Sequence, residues 1–331
     1  MRRLFGLILL SSLLAAVLAG CVPRVQKPGP RTGVLAIQAG AIATADGIQL
    51  PLRRWGPEKN PRAIIVALHG FNDYSRAFAA PATDWAKAGI ATWAYDQRGF
   101  GAAPGRGLWA GTRLLTGDLR AFAAALRRRY PATPLYLLGH SMGAAVVLAS
   151  IDTDFRAAIK PAGIFLVAPA VWGFSQMNIF YRGGLWLAAH TVPWKRFTGQ
   201  SLDIMASDNI PMLRRLGRDP LVIKETRVDT IYGLVGLMDR GLENAPALAG
   251  IPVEVLYGKH DQVIPEKAVR ALAKKLPAGK CLRIFPRGYH MLLRDLSAAV
   301  VRADIARRVS GDGGGGGCSP DSVAAAAAGG S

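Results

Sequence analysis

The stretch Leu137–Ala145, LLGHSMGAA, restricts this chain more than any other. A serine stands between two glycines, each two positions away. Leu135–Leu138 before it is a short apolar run suited to a buried parallel strand. Ala144–Ala149 after it is an Ala/Val/Leu run suited to a buried helix. G-x-S-x-G alone is a weak signal in a chain with 38 glycines. Strand, GxSxG and helix in that order are the context of a sharp turn that lifts a serine hydroxyl out of a sheet. Small residues at Gly139, Gly143 and Ala144 let strand and helix approach closely around Ser141. The competing reading is an ordinary strand-to-helix turn, and only the partners of Ser141 decide between them.

The rest of the chain supplies the setting. Its 331 residues, half of them apolar, bury a large core. Ile48–Trp55, Ala63–Leu68, Ile90–Tyr95, Leu135–Leu138, Gly163–Val167, Val253–Tyr257 and Leu282–Phe285 read as strands. Ser75–Ala88, Thr112–Arg129, the run to Ser150, Pro265–Leu276 and Leu293–Val309 read as helices. Such alternation predicts a mostly parallel sheet with helices on both faces. It breaks between about 170 and 248, a segment rich in aromatic and apolar residues that include Trp172, Phe180, Trp186 and Trp194. This segment lies between two predicted sheet strands, so it is expected to be an inserted helical lid.

The ends have their own composition. Met1-Arg2-Arg3 precedes the uncharged run Leu4–Ala19. As a helix that run spans ~24 Å, short of the ~30 Å hydrocarbon core, so residues 1–20 read as a signal peptide. Leu18-Ala19-Gly20-Cys21 resembles the lipobox of bacterial lipoproteins. That resemblance implies an acylated Cys21, membrane attachment and a place in the cell envelope. In a Gram-negative host Val22 resembles the residue of outer-membrane-directed lipoproteins, on the periplasmic face. A plain secretory signal is the alternative. Residues 21–41 are expected to be a Pro/Gly-rich tether, 42–309 the folded domain, and 310–331 a disordered Gly/Ala tail.

Cys21, Cys281 and Cys318 are the only cysteines, too few for a disulfide framework, and Cys281 is expected to be buried. No Cys/His/carboxylate cluster has metal-site spacing, and no cofactor is expected. The formal charge of +19 is not gathered into a tail or a nucleic-acid motif. A solvated basic surface is expected, with anionic lipid headgroups as its next use and no nucleic acid.

An activated serine needs a base to take its proton and an acid to orient that base, in the chain order Ser, Asp/Glu, His. Of five histidines, His69 and His140 precede Ser141, His190 lies in the insertion, and His260 adjoins the best acid. His290 remains, just after the predicted strand Leu282–Phe285. Asp261 follows the strand Val253–Tyr257 and leads into a helix. Its competing role is a helix N-cap. The oxyanion requires backbone donors. The Met142 N–H directly follows the serine. The Phe71 N–H follows the strand Ala63–Leu68, with Gly70 expected to supply unusual backbone angles.

LHGFNDYS, YDQRGFG, GHSMGA, APA, SDN…RDPLV, LYGKHDQVIP and GYHMLLRD occur in the order and spacing of a known group. From about residue 42 to 309 the chain resembles the monoacylglycerol lipase and lysophospholipase family of serine hydrolases. The resemblance implies an α/β-hydrolase fold, with Ser141 as nucleophile, Asp261 as acid, His290 as base, and Phe71 and Met142 at the oxyanion. Asp96 and Arg98 match a turn that is structural in the family. Phe71-Asn72 departs from it, since many relatives carry a smaller residue or Gly there.

The expected activity is hydrolysis of acyl-lipid esters, of a monoacylglycerol or lysophospholipid kind, with Trp172, Phe180 and Trp186 lining an acyl channel. Alternatives are a small-ester carboxylesterase or a peptidase/amidase on the same residues. A non-catalytic acyl-binding lipoprotein is a third.

Overall fold

The structure is a computed structural model that describes residues 22–31, 33–199, 203–278 and 280–311. The expected signal peptide, Cys21 and nearly all of the expected tail lie outside these residues.

Nine strands among the described residues form one sheet, in the order β1-β2-β3-β5-β4-β6-β7-β10-β11. They are β1 (Ala36–Gln38), β2 (Ala41–Ala43), β3 (Gln49–Trp55), β4 (Ala63–Leu68), β5 (Ile90–Tyr95), β6 (Leu135–His140), β7 (Gly163–Val167), β10 (Val253–Gly258) and β11 (Lys280–Phe285). From β5 to β11 every pairing is parallel, while β1 to β3 are antiparallel and β3 joins β5 antiparallel. This is an α/β-hydrolase fold.

The strand β4 shows why both faces are covered. Ile64, Val66 and Leu68 point into one apolar core, and Ala63, Ile65 and Ala67 into the other, all fully buried. Side chains alternate along a strand, so a continuous apolar run needs a layer on each face. The first layer holds α2 (Thr112–Arg129), α3 (Met142–Ser150), α7 (Val228–Asn244) and α8 (Glu266–Lys275). The second holds α1 (Ala79–Lys87) and α9 (Ala298–Val309). Each fully buried Leu, Ile or Val contributes ~1.5–3 kcal/mol of transfer free energy. A short helix, α4 (Thr153–Ile159), is capped by the Asp152 carboxylate, which accepts from Phe155 N–H at 2.8 Å.

The turn after β5 is an ionic knot. Arg98 forks onto Asp118 (2.6 and 2.9 Å) and Asp46 (2.8 and 2.6 Å). The Arg98 hydrogen bonds hold the Asp46 carboxyl well below the usual carboxylate range, whereas burial pushes Asp118 up. Asp96 accepts from Arg53 and the Ser75 amide, which ties this turn to the loop after β4.

Four sequence expectations need correction. The sheet begins at Ala36, before residue 42. Residues 22–31 are extended but not a free tether. Gln26 N–H donates to the Trp109 carbonyl at 2.8 Å, and Gly29 N–H to Asp46. In the insertion, α7 packs Leu237 and Leu242 into the main core, so it belongs to the helical layer. What stands outside that layer is α5 (Ile179–Thr191), α6 (Ile210–Arg218) and the hairpin β8 (Arg196–Thr198) with β9 (Glu225–Arg227). Finally, Cys281 is buried as expected, but it is disulfide-bonded.

Candidate active site

Ser141 sits between β6 and α3 at φ 53°, ψ −116°. A non-glycine residue avoids positive φ, so surrounding bonds must hold it there. Ser141 N–H donates to the Val167 carbonyl at 2.9 Å, and its own carbonyl accepts from Ala144 (3.0 Å) and Ala170 (3.1 Å). The flanking glycines are required by space. A Cβ on Gly139 would lie 2.4 Å from the Ala144 backbone, and one on Gly143 2.2 Å from the Leu68 carbonyl oxygen.

His290 lies in the loop after β11. Ser141 Oγ stands 3.0 Å from His290 Nε2, and His290 Nδ1–H donates to Asp261 Oδ2 at 2.8 Å. The Nδ1 proton fixes the tautomer and leaves the Nε2 lone pair facing the hydroxyl. The Asp261 side chain is fully buried. Its other oxygen, Oδ1, accepts from the amides of Val263 (2.8 Å) and Ile264 (3.0 Å). These amides precede α8, whose N-cap is Pro265 without a side-chain cap, so Asp261 closes a turn before the helix and does not take the competing N-cap role. The structure brings Ser141, Asp261 and His290 together in one hydrogen-bonded row.

The loop carrying His290 is held from several sides. His140 Nε2–H donates to the His290 carbonyl at 2.9 Å. Asp295 accepts from Tyr289 N–H at 2.7 Å and from the Ser207 hydroxyl at 2.6 Å. Met291 N–H donates to the Ala206 carbonyl, and Asn209 to that of Arg294. These ties stop the last helix at Ala298, five residues short of the predicted start at Leu293. Sequence reasoning did not assign His140, Ser207 or Asp295. The signal lay in SDN and in the RD after His290.

Met142 opens α3, where first-turn N–H groups have no intrahelical acceptor. Phe71 begins the turn after β4, packed edge-on against Phe100. Gly70, expected to supply unusual backbone angles, is not among the positive-φ glycines. It serves close approach, since a Cβ there would lie 3.2 Å from Ser141 Cβ. The left-handed residue is Asn72, at φ 62°. Its carbonyl accepts from Ile223 N–H at 2.9 Å and its amide donates to the Thr226 hydroxyl at 2.6 Å. The insertion thus grips the loop that presents the Phe71 amide. Asp73 accepts from Arg294 at 2.5 Å, joining this loop to that of His290.

The three expected channel residues part company. Trp172 is partly buried against the main core. Trp186 lines a cleft of about 490 Å³ with Phe174, Ile179 and Tyr232, and its ring stacks on His190 at 4.5 Å. Phe180 is 85% exposed and does not line that cleft. Among the described residues, no group of three or more His, Cys, Asp or Glu side chains is arranged to hold a metal ion.

The family model described as serine aminopeptidase, S33, matches residues 59–297. The monoacylglycerol lipase of Mycolicibacterium smegmatis is 23% identical over 278 residues, 80% of this chain and 94% of that protein. The monoglyceride lipase of Homo sapiens is 25% identical over 268 residues, 77% of this chain and 84% of that protein. A solved structure of a soluble variant of monoglyceride lipase from Saccharomyces cerevisiae, in complex with a substrate analog, superposes with a TM-score of 0.67 at 21% identity. It covers 86% of this chain and 98% of that one.

Proposed function

We propose, for a chain that belongs to the serine aminopeptidase S33 family of hydrolases, two-step hydrolysis of the carboxylic ester of an acyl lipid. The observation that carries it is His290, hydrogen-bonded to Ser141 on one nitrogen and Asp261 on the other. His290 Nε2 takes the hydroxyl proton as Ser141 Oγ attacks the ester carbonyl. Asp261 keeps the imidazole oriented and stabilises the imidazolium. The amides of Phe71 and Met142 donate to the oxyanion of the tetrahedral intermediate. His290 returns the proton to the departing alcohol, leaving an acyl-enzyme. Water attacks next, with His290 again the base, and the free acid leaves.

The relatives named as monoacylglycerol and monoglyceride lipases support a monoacylglycerol, and a lysophospholipid is the other single-chain acyl ester proposed. The family description names an aminopeptidase, which must hold a free ammonium group. The insertion offers that group a poor environment, with nine Lys/Arg against seven Asp/Glu over residues 170–248. A pure acyl-ligand binder would need none of the hydrogen bonds around His290.

The leader and Cys21 support export and lipid anchoring in the cell envelope. The disulfide at Cys281 agrees with an oxidising compartment. The test is purified protein against p-nitrophenyl esters and aminoacyl-naphthylamides, with Ser141→Ala beside it. Ester turnover lost by several orders of magnitude in the variant is expected. Retained turnover, or preferential cleavage of the naphthylamides, would sink the proposal.

A further inference from the structure

A groove of about 670 Å³ lies between α6, the Ser75–Phe78 turn before α1, and the segment after His290. It contains none of Ser141, His290 and Asp261. Its charged lining is Arg76, Arg215, Arg218, Arg294 and Arg302 against Asp73 and Asp219. Within the lining five cations face two anions.

The pairing pattern says which cations are free. Arg294 is held by Asp73 at 2.5 Å, and Arg302 by Asp84 at 3.1 Å. Asp219 is occupied by the Tyr74 hydroxyl at 2.7 Å and the Leu221 amide at 2.9 Å. Arg215 and Arg218 make no ion pair among the described residues and are exposed, whereas the exposed Arg76 is hydrogen-bonded to Tyr74 and interacts with the Asp219 charge. The adjoining cleft shares Arg218 and Asp219 and adds Arg106, Arg196 and Lys224 against Glu225. Arg106 and Lys224 there donate to the Val222 carbonyl, and Lys224 also interacts with the Asp219 charge.

Guanidinium groups lining an open groove suit the oxygens of a phosphate, which accept paired N–H donors. An apolar acyl chain gains nothing from such a lining. An ammonium group would be repelled. We propose that this groove is a phosphate-binding site that takes a phosphate mono- or diester, carried by a soluble ester or by a phospholipid headgroup. The site stands independently of the ester-hydrolase proposal.

The test uses the full chain, the pair Arg215→Glu/Arg218→Glu, and a control pair, Arg113→Glu/Arg128→Glu. The control pair changes charge equally at exposed positions on α2. Calorimetric titration with inorganic phosphate and with sn-glycero-3-phosphate probes the soluble source. Co-sedimentation with phosphatidylcholine vesicles, with and without phosphatidylglycerol, probes the headgroup. The groove pair is expected to weaken binding at least ~10-fold and the control pair to leave it unchanged. An effect on the soluble phosphates assigns a free phosphate ester. An effect confined to phosphatidylglycerol vesicles assigns a headgroup. Both pairs should melt at the parent's Tm, which reports an intact fold. Equal loss in the two pairs, or no binding that distinguishes them, would overturn the site and leave a diffuse basic surface.

Discussion

His140 Nε2–H donates to the backbone carbonyl of His290 at 2.9 Å, and the two imidazoles lie 5.2 Å apart. Two cationic rings at that distance would repel. His140 is buried, and burial first, then the neighbouring His290, pushes it down to about 3. It therefore stays neutral while its neighbour carries the proton in the proposed cycle. Its task is to place the His290 backbone.

That neutrality has a measurable sign. In the unfolded chain a histidine titrates near 6.5. Between there and about 3 the unfolded state binds a proton at His140 that the folded state does not. Stability from this residue is full above about pH 6.5 and is lost as pH falls toward 3. His140→Asn is expected to flatten the dependence of unfolding free energy on pH in that window by up to about one proton. It should also lower kcat ~10-fold with KM little changed, because the base is misplaced while the binding surface is intact. Urea unfolding across a pH series checks the first part. An unchanged slope would refute the buried neutral ring.

Gly143→Ala tests the geometry of the turn itself. The new Cβ would lie 2.2 Å from the Leu68 carbonyl oxygen, which belongs to the central strand β4 and has little freedom to move. Overpacking of this kind costs ~1–3 kcal/mol. A fall in Tm and loss of ester turnover are expected together. Gly236→Ala, on α7 where the added carbon meets nothing within 4 Å, should be neutral or slightly stabilising. Thermal scans of the two variants decide it, and equal Tm values would contradict the close approach of strand and helix.

The sheet was legible because its strands are continuous apolar runs bounded by glycine, proline and charge. Ala63–Leu68, Ile90–Tyr95 and Gly163–Val167 have the same ends in sequence and structure. Ser141, Asp261 and His290 were legible because each follows a strand in a required order. The insertion was not, since apolar residues do not say whether they face a core, a cleft or water. Phe180 and Trp172 look alike in sequence, yet one is exposed and the other packed on the core. β8 and β9 are three residues each and pair across a segment that includes α6, which leaves no local pattern. The clamp on Asn72 was hidden for a related reason. A left-handed Asn at φ 62° is set by bonds from Ile223 and Thr226, which lie far along the chain.

Membrane attachment is tested at Cys21. If its thiol is acylated, the processed protein partitions with membranes, and two or more chains are needed for a stable anchor. Cys21→Ser expressed in a bacterial host is expected to remain unprocessed at this position and to take up no labelled palmitate. Equal labelling of variant and parent would remove the lipoprotein assignment while leaving the hydrolase untouched.

The last prediction concerns acyl-chain selection and separates two aromatic residues of α5. Trp186 lines the 490 Å³ cleft between α5 and α7 with Ile179 and Tyr232, whereas Phe180 points to solvent. A methylene buried against such a lining gains ~0.8 kcal/mol, which is about fourfold in kcat/KM when the gain is realised in the transition state. Activity on p-nitrophenyl esters is therefore expected to climb over medium chain lengths and level off where the cleft ends. Trp186→Ala should flatten the climb and leave acetate turnover alone, because acetate has no chain to bury. Phe180→Ala should change neither on a monomeric substrate. A steady fall in kcat/KM from acetate upward would leave a small-ester hydrolase in place of a lipase. Flattening by Phe180→Ala and not by Trp186→Ala would mean that α5 turns its other face to the substrate.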